Sequence, residues 1–159
     1  MKIYHRLIDS FAKTRLGGWA IVTLFNPIDK RLMRWTNGNL STGFGTDFRD
    51  NGVLLSCTGA KSGQPREIPL LATPMGEKYI LVASNAGRHK HPAWYYNLRA
   101  HPNCSLLIRG RGEVAYVAHE AEGAEKEQAW ATANAQYSGY DIYQGRTDRE
   151  IPIMILTPL

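Results

Sequence analysis

The sequence predicts a mainly β, α+β fold: a small, mostly antiparallel barrel with helices packed outside it. Three observations predict it. From residue 52 onward, β-branched and aromatic residues collect in short apolar runs bounded by Gly, Pro and polar residues, as strands require. Several of these runs are joined by tight glycine-bearing turns, which connect antiparallel neighbours. Helical periodicity is confined to residues 1–37, a short stretch at 92–100 and an alanine-rich segment at 120–136. A chain of 159 residues, 43% hydrophobic, suits one compact domain, divided into an N-terminal helical segment (1–44) and the barrel (45–159).

In order along the chain, Ile3, Tyr4, Leu7, Ile8, Phe11 and Ala12 recur at helical steps, with Lys2, Arg6, Asp9, Lys13 and Arg15 on the other face, until Gly17-Gly18. This basic amphipathic helix is compatible with packing on the domain and with lying on an anionic membrane surface. A second helix has Asn26 as its cap and Pro27 in its first turn, packs through Ile28, Leu32 and Trp35, and ends at Asn37-Gly38. Residues 38–50 read as a loop. Strands follow at 52–58, 67–73 and 78–84, the last two around Met75-Gly76-Glu77. A short helix at 92–100 precedes a strand pair, 104–108 and 113–118, across Gly110-Arg111-Gly112. The helix at 120–136 and a sixth strand at 151–156 follow; Pro152 fits only an edge or a strand's start.

Nineteen Lys+Arg against fourteen Asp+Glu leave a formal charge of +5, which points to an anionic partner. Residues 1–37 hold seven Lys/Arg against Asp9 and Asp29, and residues 61–111 hold eight against Glu67 and Glu77. Neither basic region carries a helix-turn-helix, RNA-binding-strand or zinc-finger pattern, so nucleic acid is not an expected partner. Cys57 and Cys104 lack a CxxC or histidine-rich setting, so neither a disulfide framework nor a zinc site is expected and a reducing cytoplasm suits them. His89 and His91 have no further ligand nearby in sequence, and no metal is expected. The apolar stretch 19–25 is too short to span a bilayer, and the first residues have no signal-peptide pattern.

Three clusters bear on chemistry. Thr58-Gly59-Ala60-Lys61-Ser62-Gly63-Gln64-Pro65-Arg66 brings glycines, a hydroxyl and two cations into one strand-to-strand loop. That mix suits an anion cradle, because glycines let backbone N–H groups approach, Lys supplies a point charge and Arg grips oxygens bidentately. A solvated hairpin loop has the same composition, and the residues alone do not separate the two. Ser84-Asn85-Ala86-Gly87-Arg88-His89-Lys90-His91 follows a strand and precedes Trp94-Tyr95-Tyr96-Asn97, where core packing is the ordinary role for Trp94 and Tyr96. Tyr137, Tyr140 and Tyr143 are spaced three apart; on a helical turn they share a face. That face either closes the core or offers phenol donors to an oxygen gaining negative charge. No Ser/His/Asp or Cys/His arrangement, paired carboxylates or metal set accompanies them, which leaves redox chemistry on a bound cofactor as the main enzymatic option.

Taken together, Leu55–Arg66, Val82-Ala83-Ser84, Pro92–Leu98, Tyr137–Asp148 and Ile151-Pro152-Ile153 resemble the deazaflavin (F420)-dependent nitroreductase and quinone reductase family. The similarity runs over residues 45–159 and is loose over 1–44. The resemblance implies a split β-barrel of the flavin-reductase, FMN-binding type. It implies hydride transfer from reduced coenzyme F420 to a quinone, nitroaromatic or activated enone. Carried over residue by residue, it assigns cofactor contacts to Ala60, Lys61, Ser62, Arg66, Glu67, Ile68, Pro69, Leu70, Leu71 and Ala72. Further contacts fall on Val82, Ala83, Ser84 and Asn85, then on Ala93, Trp94, Tyr95, Tyr96 and Asn97. The substrate-facing, catalytic tyrosines are Tyr137, Tyr140 and Tyr143, with Tyr140 first as donor to the acceptor oxygen. Asn85, Leu71 and Arg146 stand where a well-known nitroreductase member has lysine, tyrosine and tryptophan. FMN is the alternative cofactor, because the same barrel serves flavin oxidases, and a non-catalytic F420-binding protein is the alternative to an enzyme. Exposed barrel edges leave a homodimer open. The expected location is cytoplasmic, and contact of the N-terminal helix with the inner face of the plasma membrane is left open beside its packing on the domain.

Overall fold

The computed structural model describes residues 26–40 and 50–159. The basic helix expected within residues 1–15, the Asn26 side-chain cap and most of the 38–50 loop lie outside the described residues. Among the described residues, seven strands form one antiparallel sheet: β1 Gly52–Thr58, β2 Pro65–Leu71, β3 Thr73–Met75, β4 Lys78–Val82, β5 Asn103–Ile108, β6 Gly112–Glu120 and β7 Ile153–Pro158. Their order is β2-β1-β5-β6-β7-β4-β3. The helices are α1 Asn26–Trp35, α2 Ala93–Ala100, α3 Gly123–Gln136 and α4 Gly139–Gln144.

The two edge strands, β2 and β3, are joined by a single residue, Ala72, which is fully buried. Leu71 and Thr73 therefore lie within about 7 Å of each other, so the opposite edges of the sheet must meet. The sheet curls on itself as the split barrel that the sequence predicts. The run 67–73, read as one strand, is broken at Ala72 where the chain crosses the seam, giving seven strands and not six. The prolines Pro65 and Pro69 lie on β2, which among the described residues pairs with β1 alone, so the missing N–H groups are tolerated. Pro152 immediately precedes the central strand β7, the position expected of it, and its carbonyl accepts the Ala83 N–H at 2.9 Å.

Burial on both faces explains the continuous apolar run in β7. Met154 and Leu156 face the barrel interior with Leu81, Ala83, Leu55 and Tyr116. Ile153 and Ile155 face outward into a second cluster beneath α3 and α4, with Ile80, Val82, Ala129, Ala133, Tyr140 and Tyr143. α3 begins at Gly123 and not at Glu120, because β6 continues through Glu120, opposite Met154 on β7.

Helix α1 turns a different face to the sheet from the one the apolar pattern predicts. Ile28 and Trp35 are 53% and 85% exposed, whereas Met33 is buried against Leu54 and Leu107. The sheet here presents an apolar socket flanked by two carboxylates. Arg34 Nε donates to Glu67 Oε1 at 2.9 Å, Arg34 Nη1 to Glu113 Oε2 at 3.0 Å, and Lys30 lies 3.5 Å from Glu67. The Ser105 hydroxyl and Arg34 together hold the Glu113 carboxyl below its usual range. These partners, with Met33 between them, set the rotation of the helix. Its end is as expected: Asn37 and Gly38 are left-handed, and Gly38 N–H closes on Met33 O at 2.7 Å. No described helix is long and apolar enough to cross a membrane.

Candidate functional site

The β1–β2 loop is a built structure. Gly59 N–H donates to Gln64 O at 2.9 Å and Gly63 N–H to Gly59 O at 2.8 Å. A Cβ on Gly59 would stand 2.6 Å from Ser62 Oγ and 3.2 Å from Gln64 O, so any larger residue there would displace the Ser62 side chain from the loop. Ser62 Oγ accepts from Gln64 N–H at 3.3 Å and from Arg66 Nη2 at 3.4 Å, which fixes the arginine beside the loop. From the side, α2 supplies Asn97: its Oδ1 accepts the Ala60 N–H at 2.9 Å, and its Nδ2 donates to Cys57 Sγ at 3.7 Å. Lys61 and Arg66 are exposed, and neither meets an acidic partner among the described residues.

The strand register divides the β2 residues. Arg66, Ile68 and Leu70 stand opposite Cys57, Leu55 and Val53, on the face that lines the barrel interior. Glu67 and Pro69 alternate to the other face, where the Glu67 carboxylate is held by Lys30 and Arg34. Glu67 therefore does not join Lys61 and Arg66. Leu71, at the far end of β2, packs in the cluster that holds Tyr140 and Tyr143, and the Ala72 carbonyl accepts from Gln136 Nε2 at 3.4 Å. Five residue steps separate Arg66 from Leu71, about 17 Å along an extended strand.

At the end of β4, Val82 faces the tyrosine cluster and Ala83 the barrel interior. After Ser84 the backbone is left-handed for three residues: Asn85 (φ 48°), Ala86 (φ 55°) and Gly87 (φ 76°). Asn85 Nδ2 donates to Lys90 O at 2.8 Å, so its amide organises the turn. Arg88, His89 and Lys90 are exposed. In α2, Trp94 and Tyr95 are buried in the barrel core, with Tyr95 Oη 3.0 Å from Glu120 Oε2; burial and that carboxylate push the phenol pKa up. Ala93 and Tyr96 face outward. Core packing, the ordinary role considered for both Trp94 and Tyr96, holds for Trp94 and not for Tyr96.

The three tyrosines converge, but not on one helical turn. α3 ends at Gln136, Tyr137 is extended (φ −137°), and α4 begins at Gly139. A Cβ on Gly139 would come within 2.3 Å of the Tyr137 ring, so that glycine makes the room the ring occupies. Tyr137 Oη and Tyr143 Oη are 3.0 Å apart, and the Tyr137 and Tyr140 rings meet edge-on at 5.2 Å. Burial pushes the Tyr143 phenol up, which keeps its proton at neutral pH. A Cβ on Gly87 would be 2.8 Å from Tyr143 O, so the left-handed turn lies directly against the tyrosine group. A separate open cleft of about 630 Å³ between α3 and α4, lined by Lys126, Trp130, Asp141 and Glu150, contains none of the predicted site residues.

The sequence reading missed Arg149. Its guanidinium reaches Ala83 O, Ser84 O, Arg88 O and the His91 ring. No short motif signals it, because those partners lie 58 to 66 residues away.

Residues 29–158 match the family model of the F420H(2)-dependent quinone reductases. An F420H(2)-dependent quinone reductase of Mycobacterium tuberculosis (strain ATCC 25618 / H37Rv) is 33% identical over 129 residues, covering 79% of this chain and 85% of that protein. A solved F420-H2 dependent reductase (FDR-A) is 42% identical, covers 67% of this chain and 94% of that one, and superposes with a TM-score of 0.62. A structure described as a domain-swapped dimer is 36% identical, covers 82% and 96%, and has a TM-score of 0.65. A heme storage protein from Vibrio cholerae, 15% identical over 69% of this chain and 82% of that one, shares the fold alone at a TM-score of 0.53. The chain thus belongs to the F420H(2)-dependent quinone reductase family and is an oxidoreductase whose cofactor is coenzyme F420.

Proposed function

We propose that the groove running along β2 from the Gly59–Gly63 loop to the turn after β4 holds F420, and that the tyrosine cluster, which Leu71 joins, receives the acceptor. The observation that carries this reading is the separation of chemistry along one strand. Two cations with no acidic partner among the described residues stand at the Arg66 end, and apolar and phenolic groups at the Leu71 end. An elongated ligand with a flat ring at one end and phosphate and carboxylates at the other matches that donor set. Lys61 and Arg66 hold the anionic part, on a loop whose Gly59, Ala60, Gly63 and Gln64 N–H groups are spent in fixing its own shape. Ile68, Leu70 and the Val82–Asn85 backbone flank the ring. Trp94 and Tyr95, being core residues, contribute backbone and shape, while Asn97 orients the loop through Ala60.

When bound, reduced F420 supplies hydride. The chain's own task is to place and polarise the acceptor, a quinone. The Tyr137–Tyr143 hydrogen bond holds the two phenols together at the acceptor end. Tyr140, packed edge-on against Tyr137, donates to the acceptor oxygen as negative charge develops there. The same donors suit nitroaromatics and activated enones, whose oxygens also gain charge on reduction.

The test is equilibrium titration with F420 and FMN side by side, using wild type, Lys61→Ala and Arg66→Ala. Wild type should bind F420 more tightly than FMN. Each variant should lose about tenfold in F420 affinity, the loss shrinking as salt rises. Unchanged affinity in both variants removes the cradle from the mechanism.

A further inference from the structure

Arg149 lies between α4 and β7 and is not itself among the residues assigned to the ligand, yet it grips the segment that carries Ala83 and Ser84, which are. Nη2 donates to Ser84 O at 2.8 Å and Ala83 O at 3.2 Å, and Nε to Arg88 O at 2.8 Å. Nη1 lies 2.9 Å from His91 Nδ1. No carboxylate pairs with this guanidinium among the described residues. Its donors are spent on a backbone segment, and the distribution of those contacts is informative. Two precede the left-handed run Asn85-Ala86-Gly87 and two follow it, so one planar group holds the turn from both sides. Two of the three residues in that turn are not glycine, and left-handed backbone at such residues costs about 1–2 kcal/mol each. Such a turn persists only where its surroundings hold it.

We propose that Arg149 is a positioning residue for the cofactor: without touching the ligand, it fixes the Ala83–His91 segment, and so the relation between the end of β4 and the start of α2, in the shape that binds F420. The proposal rests on the reading of the groove given above. It assigns a role in binding, beyond stability, to a residue in neither the loop nor the tyrosine cluster.

The His91 contact gives this role a signature of its own. Arginine has no lone pair to share, so His91 Nδ1 must be the acceptor and the ring must be neutral, with its proton on Nε2. Burial and the Arg149 charge both hold the His91 pKa below the ordinary 6.5. Arg99 acts in the same direction, Glu120 opposes, and the Tyr95 and Tyr96 rings flank the imidazole. Once the ring is protonated, two cations face each other and this arm of the clamp opens. Binding should therefore weaken as pH falls below about 6.5 and through the depressed His91 value.

Equilibrium dialysis of F420, read by absorbance, tests this on the full chain between pH 5 and 8, together with melting temperatures. Arg149→Gln should weaken F420 binding by about ten- to hundredfold, with Arg149→Lys intermediate. His91→Asn, which keeps an acceptor near the Nδ1 position, should still bind F420 at pH 7.5 and, relative to its own affinity there, lose the part of the acid weakening due to histidine. Weakening common to wild type and His91→Asn belongs to the ligand. A folded Arg149→Gln with wild-type affinity overturns the proposal, even if its melting temperature falls. An acid profile identical in wild type and His91→Asn does the same, and that comparison decides the matter if Arg149→Gln fails to fold. Wild type that binds F420 at no pH overturns the reading of the groove instead.

Discussion

Replacing Asn97 with alanine detaches the cationic loop from the wall of the barrel while leaving Lys61 and Arg66 in place. The bond at stake is Ala60 N–H to Asn97 Oδ1 at 2.9 Å; the contact of Nδ2 with Cys57 Sγ, at 3.7 Å, is weak. A neutral hydrogen bond of this kind contributes about 0.5–1.5 kcal/mol net. Truncating the buried amide adds a small void, so the total is about 1–2 kcal/mol. In a chain of this length that corresponds to a melting temperature lower by about 2–8 °C. If the loop must be ordered to bind, the same energy reappears as F420 affinity weakened about 5- to 30-fold. Calorimetry and equilibrium dialysis on the same preparations read the two quantities. Asn97→Asp sharpens the test: the carboxylate still accepts from Ala60 but sets a negative charge beside the cradle. Its affinity should fall most at low salt and recover as salt rises. An Asn97→Ala protein that melts lower but binds F420 as wild type would show that the amide serves packing alone, and the ordering argument would be refuted.

Tyr140→Phe should lower turnover with F420H2 and a quinone by about 10²-fold while leaving the dissociation constant of F420 unchanged; equal rates would remove this phenol from the chemistry. Gly87→Ala should lower the melting temperature by about 2–12 °C, from about 1–3 kcal/mol of backbone strain, because its Cβ would also meet Tyr143 O at 2.8 Å and Arg146 Cβ at 2.9 Å. Gly76→Ala, at a similar positive φ but in open space, should lose less in the same calorimetric scan. Cys104, pushed up from 9.0 to about 12 chiefly by burial, stays protonated in the folded protein after the unfolded chain has ionised. The unfolded state then binds fewer protons, so stability should fall as pH rises from about 9 towards 12, by at most about 1.4 kcal/mol per pH unit from this group. Urea unfolding at pH 8 and pH 10 should show a shallower alkaline loss in Cys104→Ala than in wild type.

Local signals were the readable ones. The glycines at 76, 110 and 112 mark turns because the left-handed backbone favours them, and the strand pair across Gly110-Arg111-Gly112 forms as predicted. The break at Ala72 is invisible in sequence, since an alanine inside an apolar run looks the same whether the strand continues or crosses a seam. The rotation of α1 depends on Glu67 and Glu113, which lie 33 and 79 residues from Arg34, so its apolar stripe misleads. The spacing of the tyrosines signalled a shared face, yet they meet through a break between α3 and α4 that Gly139 accommodates. Parity along β2 separates Arg66 from Glu67, a distinction that appears only once the strand has a partner.

The position of β7 has a consequence for how this site comes into being. It is the last described strand in chain order, yet it lies between β6 and β4, stitching the β2-β1-β5-β6 half of the sheet to the β4-β3 ribbon. Lys61 and Arg66 belong to the first half, and the turn after β4 to the second. During synthesis both halves leave the ribosome before the strand that fastens them, and their mutual placement waits for residues 153–158. On the proposed placement of F420, cofactor capture is a late event in the life of the nascent chain, and a chain shortened before β7 should keep most of the proposed contact residues but lose the arrangement that binds.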